Sequence, residues 1–144
     1  MKRIVVRGAI NTNKNVNRKH FTQMTFDEVD YLTNMLNSLD HLDFTDYSYD
    51  RLEKFGISES YFMDMIHEFV HSMVIEYNTG KYGKDKRVLV RDTRIMYSDK
   101  GEPLNVCFVV SIPKSTIITV YVNDANDHHD TINFNYYNKD LKIM

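Results

Sequence analysis

The sequence predicts an α+β fold, because two kinds of hydrophobic periodicity follow one another along the chain. Up to about Ser72, apolar residues recur at intervals of three and four, which is the period of an amphipathic helix. After that point apolar and polar residues alternate, which is the period of a half-buried strand. Helices followed by a run of strands indicate separate helical and sheet layers around one core.

The first predicted elements are a short strand over residues 3–7 and a helix that begins after Thr25. Thr25 and Glu28 have the spacing of a capping box, in which each side chain binds the backbone N–H of the other residue. The Asn-rich residues 11–17 are typical of a loop. We therefore expect the first helix to run from Thr25 to about Ser38.

Two further helices are predicted before the period changes. One should follow Thr45 and end at Gly56, because glycine readily adopts the left-handed conformation found just after a helix. Ser58 can cap the next helix, and its apolar stripe predicts that this helix extends to about Ser72. The stripe consists of Phe62, Met65 and Phe69.

The predicted strands of the second half span residues 73–77, 87–97, 104–112 and 116–123. Each alternates apolar and polar residues, so its side chains should point to the two faces of a sheet in turn. In the last strand one face should carry Ile117, Thr119, Tyr121 and Asn123, and the other Ile118, Val120 and Val122. We expect an antiparallel meander of four to six strands.

The 144 residues predict a single domain spanning 1–144, large enough to bury a hydrophobic core. No apolar run approaches the roughly 18 residues of a membrane span, so a cytoplasmic protein without membrane contact is expected. The single Cys107 lies inside an apolar strand. It is expected to be a buried structural thiol rather than a nucleophile.

The net charge of −2 conceals a segregation of charge along the chain. Residues 1–26 carry six basic side chains and no acidic one, residues 27–78 carry a net charge of −10, and residues 79–120 one of +4. Such asymmetry can create an electropositive face that meets phosphates, although charges that simply face water would give the same pattern. The pI near 6.3 argues against a strong non-specific nucleic-acid binder.

Two stretches resemble a family of small phage, plasmid and toxin-system proteins that has no assigned function. That family carries His-Ala-x-x-Arg, then Gly-Ile, a helix, and strands that end in an Ile-Thr-Val-Tyr-like sequence. The matching segments here are residues 44–58 (FTDYSYDRLEKFGIS), 101–110 (GEPLNVCFVV) and 116–121 (TIITVY). Residues 123–131 (NDANDHHDT) are similar to phage-type relatives with Asp-x-His-x-Thr after the last strand. The resemblance covers about residues 44–131, with the strand and helix of residues 1–40 added in front.

The resemblance implies a barnase-, colicin- or RelE-like fold, in which small helices pack on a curved antiparallel sheet. Active members of that group are metal-independent endoribonucleases or related toxins, so the implied partners are RNA and a host or antitoxin protein. No cofactor is implied. The motif histidine corresponds to Tyr47 here and the second motif arginine to Phe55, whereas Arg51 is retained. Loss of the histidine removes the side chain best suited to proton transfer near neutral pH, which favours a weakened enzyme that binds RNA or a host factor.

Several side chains are candidates for a site in this toxin-like, RelE-like interpretation. The predicted catalytic group consists of His129, Arg51, Arg91, Tyr47, Thr119 and Tyr121, and the predicted RNA contacts are Arg51, Arg87, Arg91 and Lys114. Arginine and lysine would contact phosphate, and His129 would handle protons. Each residue also has a structural interpretation, in which the arginines pair with nearby acids and the strand residues fill the sheet.

An alternative function is that of a zinc-dependent hydrolase. His67, Glu68 and His71 form a literal His-Glu-x-x-His string. On a helix, the two histidines would share one face and hold zinc while the glutamate activates water. The same residues form the polar face opposite the apolar stripe, which any amphipathic helix has, and no third ligand stands at a recognised spacing.

A second alternative is a non-enzymatic inhibitor or interaction protein. The acidic residues 27–78 could mimic nucleic acid or bind a basic partner. An exposed aromatic patch would support this interpretation, and its candidate members are Tyr31, Tyr47, Tyr49 and Tyr61.

Overall fold

A computed structural model describes residues 5–7, 16–127 and 131–144 of the chain. The helices are α1 Phe26–Asn37, α2 Asp46–Phe55 and α3 Glu59–Met63. The strands are β1 Val5–Arg7, β2 Arg18–His20, β3 Asp43–Phe44, β4 Val74–Asn78, β5 Arg87–Arg91, β6 Met96–Tyr97, β7 Pro103–Ser111, β8 Thr116–Asp124 and β9 Thr131–Asn133. Short 3₁₀ turns occur at Phe21–Gln23, His71–Met73 and Phe134–Tyr136. No helix of the described residues is long and apolar enough to cross a membrane.

Seven strands form one mostly antiparallel sheet, which confirms the α+β fold class. The strand order is β2-β4-β5-β7-β8-β3, and β6 pairs with β7. The β3–β8 pair is the parallel exception. Strands β1 and β9 pair in parallel as a separate two-stranded unit. The predicted strand over residues 3–7 is thus described only from Val5 onward.

The core lies between the three helices and one face of this sheet. Leu36 of α1, Leu52 of α2 and Phe62 of α3 are buried in the same cluster as the strand residues Val90 and Phe108. The Phe62 and Phe108 rings meet edge to face, with centroids 5.1 Å apart. The helices therefore cover one face of the sheet and leave the side chains of the opposite face to form other contacts.

Helices α1 and α2 begin and end where the sequence predicts. The hydroxyl of Thr25 accepts the backbone N–H of Glu28 at 3.2 Å, and the Glu28 carboxylate accepts that of Thr25 at 2.9 Å. Helix α2 ends at Gly56, whose φ of 67° is left-handed. The buried Ser48 hydroxyl donates to the carbonyl of Ile117 at 2.8 Å, which fixes α2 against β8.

The third predicted helix is much shorter than expected. Helix α3 ends at Met63 rather than near Ser72, and the chain continues through turns in which His67 has a φ of 72°. The side chain of Asn37 binds both backbone groups of Phe69, accepting its N–H at 2.7 Å and donating to its carbonyl at 2.9 Å. These bonds to the end of α1 replace helical hydrogen bonds, so tertiary contacts override the helical periodicity.

The predicted strand over residues 87–97 is divided in two. Strand β5 ends at Arg91 because Asp92 turns the chain, its carboxylate accepting the backbone N–H of Arg94 at 3.1 Å. The phenol of Tyr61 also donates to Asp92, which is 2% exposed. The chain resumes pairing at β6 and then at β7.

The last strand contains a bulge that the alternation of residues does not reveal. Between β7 and β8 the register shifts, so that Val110 pairs with Ile117 whereas Val109 pairs with Thr119. Ile117 is fully buried in the core, as is Val120. The prediction that Ile117 shares a face with Thr119 is therefore wrong, because the bulge inserts one extra residue between them.

Candidate active site

A cleft of about 440 Å³ lies on the face of the sheet opposite the helices. Strands β2, β4, β5, β7 and β8 line it, together with Asn133, Tyr136 and Tyr137. Its charged, imidazole and phenol groups come from Arg18, His20, Glu76, Arg91, Tyr121, Tyr136 and Tyr137. Among the described residues, this is the place where basic, acidic and imidazole side chains of several strands converge.

Glu76 reaches the cleft because of a bulge in β4. The register shifts so that Val74 pairs with Val90 but Glu76 pairs with Leu89, with Ile75 as the extra residue. Val74 is buried in the core, and strict alternation would send Glu76 there as well. The bulge instead directs Glu76 to the open face, where it lines the cleft together with Leu89.

Glu76 forms a bidentate ion pair with Arg18 of β2. The guanidinium donates to the two carboxylate oxygens at 3.0 and 2.9 Å, and the Tyr137 phenol donates to the carboxylate at 3.2 Å. The hydrogen bonds and charge of Glu76 raise the pKa of Arg18 above its usual value. The pKa of Tyr137 is raised to about 12, mainly because the phenol is buried and secondly because of the charge of Glu76. The Glu76 carboxylate is thus held in a fixed orientation between a charged Arg18 guanidinium and a neutral Tyr137 phenol.

His20 lies beside Glu76 on the neighbouring strand. The two residues are direct partners in the antiparallel β2–β4 register. His20 Nδ1 lies 2.9 Å from the hydroxyl oxygen of Thr22 and 3.3 Å from its backbone nitrogen, so this ring nitrogen is engaged within the turn that follows β2. The ring also meets Tyr137 edge to face at 5.4 Å. A carboxylate and an imidazole therefore lie side by side at the floor of the cleft.

Arg91 supplies the second guanidinium group of the cleft. It donates to the amide oxygen of Asn105 at 2.9 and 3.1 Å and to the backbone carbonyl of Asp124 at 3.1 Å. Among the described residues it has no carboxylate partner. Its charge is therefore positioned but not neutralised, which suits a site for an anion.

Tyr121 and Cys107 lie next to Arg91 across three adjacent strands. Arg91 pairs with Cys107 in the β5–β7 register, and Cys107 pairs with Tyr121 in the β7–β8 register. Burial first, and then Cys107 and Glu76 nearby, raises the pKa of Tyr121. Burial raises the pKa of the Cys107 thiol to about 11. The thiol is therefore neutral and buried, in agreement with a structural role.

The predicted site residues separate into groups. Arg91 and Tyr121 line the cleft, and half-buried Thr119 lies on the same face of β8 without lining it. Tyr47 and Arg51 do not join them, because α2 packs on the opposite face of the sheet. There the Arg51 guanidinium donates to the Tyr47 phenol at 2.7 Å.

The remaining predicted residues lie elsewhere or outside the described part. Arg87 and Lys114 line a second groove at the other end of β5, away from the cleft. His129 lies outside the described residues.

Four cleft residues do not follow from the sequence pattern, namely Arg18, His20, Glu76 and Tyr137. The strand that carries the first two has only three residues, too few for a periodicity to be detected. Glu76 stands in a predicted strand, but only the bulge assigns it to the open face. The sequence gives one indication of a site near Arg18 and His20, which is the basic character of residues 1–26. That character does not identify individual residues.

The His-Glu-x-x-His string does not have the geometry that the zinc interpretation requires. Its residues lie beyond the end of α3, so the two histidines do not share a helical face. His67 Nδ1 lies 2.5 Å from the carbonyl of Asn37, and His71 Nε2 lies 2.9 Å from the carboxylate of Asp30. Within residues 5–7, 16–127 and 131–144, no group of three or more His, Cys, Asp or Glu side chains is arranged to hold a metal ion.

The four tyrosines of the inhibitor interpretation do not form one exposed patch. Tyr47 and Tyr49 are exposed on α2. Tyr31 is half-buried and accepts a hydrogen bond from Lys86, and Tyr61 is half-buried against Asp92.

Comparisons with protein-family models, with curated proteins and with solved structures found no match. The geometry of the cleft and the motif resemblance of residues 44–131 are therefore the basis for a function.

Proposed function

We propose that the protein is a metal-independent endoribonuclease of the toxin-like type, acting in the cytoplasm, and that the cleft on the open face of the sheet is its active site. The observation that carries the proposal is the convergence of His20, Glu76 and Arg91 in one cleft. A base, an acid and a fixed positive charge are the groups that phosphodiester transfer needs when no metal is present. The resemblance to toxin-like ribonucleases favours RNA as the substrate.

In the proposed reaction Glu76 accepts the proton of a ribose 2′-hydroxyl, and the 2′-oxygen attacks the adjacent phosphorus. The bond from phosphorus to the 5′-oxygen of the next nucleotide breaks, and His20 in its imidazolium form donates a proton to that oxygen and becomes neutral. The products are a 2′,3′-cyclic phosphate and a 5′-hydroxyl end. Arg91 stabilises the negative charge that develops on the phosphate oxygens. Arg18 is a positioning residue, because it holds the Glu76 carboxylate through its two hydrogen bonds.

The first test is incubation of the purified protein with RNA in the presence of a chelator, followed by mass spectrometry of the product ends. We expect cleavage with 2′,3′-cyclic phosphate ends. Arg91→Ala should lower the rate by about a hundredfold or more, which is the usual effect of removing one group that stabilises an oxyanion.

Arg51→Ala distinguishes the cleft from the site that the sequence motif implies. Arg51 lies on the helical face and should be dispensable if the cleft is the active site. Loss of cleavage in Arg51→Ala with full activity in Arg91→Ala would overturn the proposed site. Binding of RNA without cleavage would replace the proposed enzyme by an RNA-binding protein.

A further inference from the structure

A second groove, of about 370 Å³, lies where the β4–β5 loop meets the β7–β8 turn. It is lined by Lys81, Tyr82, Lys84, Arg87 and Lys114. These residues come from two separate hairpin connections, so the groove exists only in the folded chain. We call this feature the basic groove.

The basic groove carries several cations that no acid of the described residues neutralises. Lys81, Lys84 and Lys114 are exposed, and none of them forms an ion pair within the described part of the chain. Asp85 is the acid that lines the groove, and it is already engaged by Arg87 at 2.7 Å and by Ser111 at 2.8 Å. Burial alone would raise the pKa of Asp85, but the hydrogen bonds from Arg87 and Ser111 outweigh it and lower the pKa.

Asp85 also holds the loop in shape. Its backbone N–H donates to the carbonyl of Thr79 at 2.9 Å, which closes the loop over two left-handed glycines. At Gly80, with a φ of 74°, a Cβ atom would lie 3.3 Å from the Asp85 Cβ. The lysines therefore project from a folded loop rather than from an extended chain.

Tyr82 places an aromatic ring among these cations. It is 80% exposed, the highest value among the large hydrophobic side chains that the structure describes, and the Lys81 ammonium lies 5.6 Å from its ring centroid. An exposed ring in a positively charged groove is the arrangement on which unpaired bases stack in proteins that bind single strands. Bases within a duplex are already stacked and would not reach the ring.

The basic groove and the cleft lie on the same face of one strand. In β5 the side chains of Arg87, Leu89 and Arg91 point the same way, and the register with β7 has no shift. Arg87 lines the basic groove, and Arg91 lines the cleft. The two arginines are separated by four residues of strand, about 13 Å. An extended strand bound at one position can therefore continue into the other.

We infer that the basic groove binds the backbone of single-stranded RNA that flanks the bond cleaved in the cleft, with Tyr82 stacking on an unpaired base. The identity of the ligand as RNA rests on the proposed function. The protein would then select single-stranded RNA that is long enough to occupy both the cleft and the basic groove.

The test measures binding of a fluorescent 2′-O-methyl oligonucleotide, which lacks the attacking hydroxyl and is not cleaved. It is offered as a single strand and as a duplex of the same sequence. Tyr82→Ala should weaken single-strand binding about tenfold, and wild-type protein should prefer the single strand to the duplex.

The double variant Lys84→Gln with Lys114→Gln should make the slope of log K against log salt shallower by about 1.4. Lys100→Gln, at an exposed lysine that lines neither cavity, is the charge-matched control and should change nothing.

Cleavage of a dinucleotide, which cannot span both positions, separates the inference from the proposed function. The groove variants should cleave the dinucleotide normally but lose activity on a long single strand. Unchanged oligonucleotide affinity in the groove variants, or equal affinity for the duplex, would overturn the inference and leave the proposed active site intact. If the groove variants lose binding but the wild-type protein cleaves no RNA, the inference that the basic groove binds RNA stands, and the proposed endoribonuclease activity is overturned.

Discussion

Glu76→Gln is the most informative single change, because it separates a catalytic carboxylate from a structural one. Glutamine keeps the size of the side chain and removes the charge that accepts a proton. If Glu76 is the general base, cleavage should fall by about a hundredfold to ten-thousandfold. A purely structural ion pair would leave the rate of the folded protein unchanged.

The expected loss of stability is small enough to leave the protein folded. The change weakens two charge-assisted hydrogen bonds, at 2.9 and 3.0 Å. Glu76 is nearly buried, but the Arg18 side chain is 43% exposed and can be rehydrated. Solvent screening therefore reduces the cost to about 1–2 kcal/mol. Urea unfolding should show this change, and a gel assay of RNA cleavage in chelator should show the loss of rate.

Glu28→Gln is the matched control. Glu28 forms an ion pair with Lys19 at 2.9 Å and lies outside the cleft, and the Lys19 side chain is only 7% exposed. Glu28→Gln should lose at least as much stability as Glu76→Gln, because Lys19 is less able to be rehydrated than Arg18, while it cleaves RNA at the wild-type rate. Glu76→Gln with full activity, or Glu28→Gln with an equal loss of activity, would refute the assignment of Glu76 as the base.

Two further predictions concern the fold. Gly56→Ala should lower the free energy of unfolding by about 1 kcal/mol, because Gly56 has a left-handed φ of 67° and a Cβ atom there would meet no other atom within 4 Å; a thermal melt at unchanged Tm would contradict this. Cys107 should resist alkylation at pH 8 in the native protein, because burial raises its pKa to about 11 and keeps the thiol neutral and covered. Mass spectrometry should detect fast alkylation only in denaturant, and equally fast reaction in buffer would show that the thiol is accessible.

Local interactions explain the elements that the sequence predicts correctly. The Thr25–Glu28 capping box and the left-handed Gly56 act within a few residues, so their sequence spacing is sufficient to locate the ends of α1 and α2. The alternation around Phe108 and Val110 likewise identifies the buried face of β7.

Contacts between distant residues explain the elements that the sequence does not predict. Residues 64–72 do not continue α3, and the side chain of Asn37, 32 residues away, binds the backbone of Phe69 in place of helical partners. The apolar spacing of Met65 and Phe69 is compatible with a helix, yet both side chains are buried without one. Periodicity alone cannot distinguish the two arrangements, because both bury the same residues.

The sequence by itself determined the α+β class, the first two helices, the buried thiol and the candidacy of Arg91 and Tyr121. Only the tertiary structure placed Arg18, His20 and Glu76 beside them and separated Arg51 from the cleft. The physical reason is the β-bulge at Ile75, which reverses the face of every residue that follows it in the strand. A bulge depends on the register with the partner strand, and that register is set only when the sheet assembles.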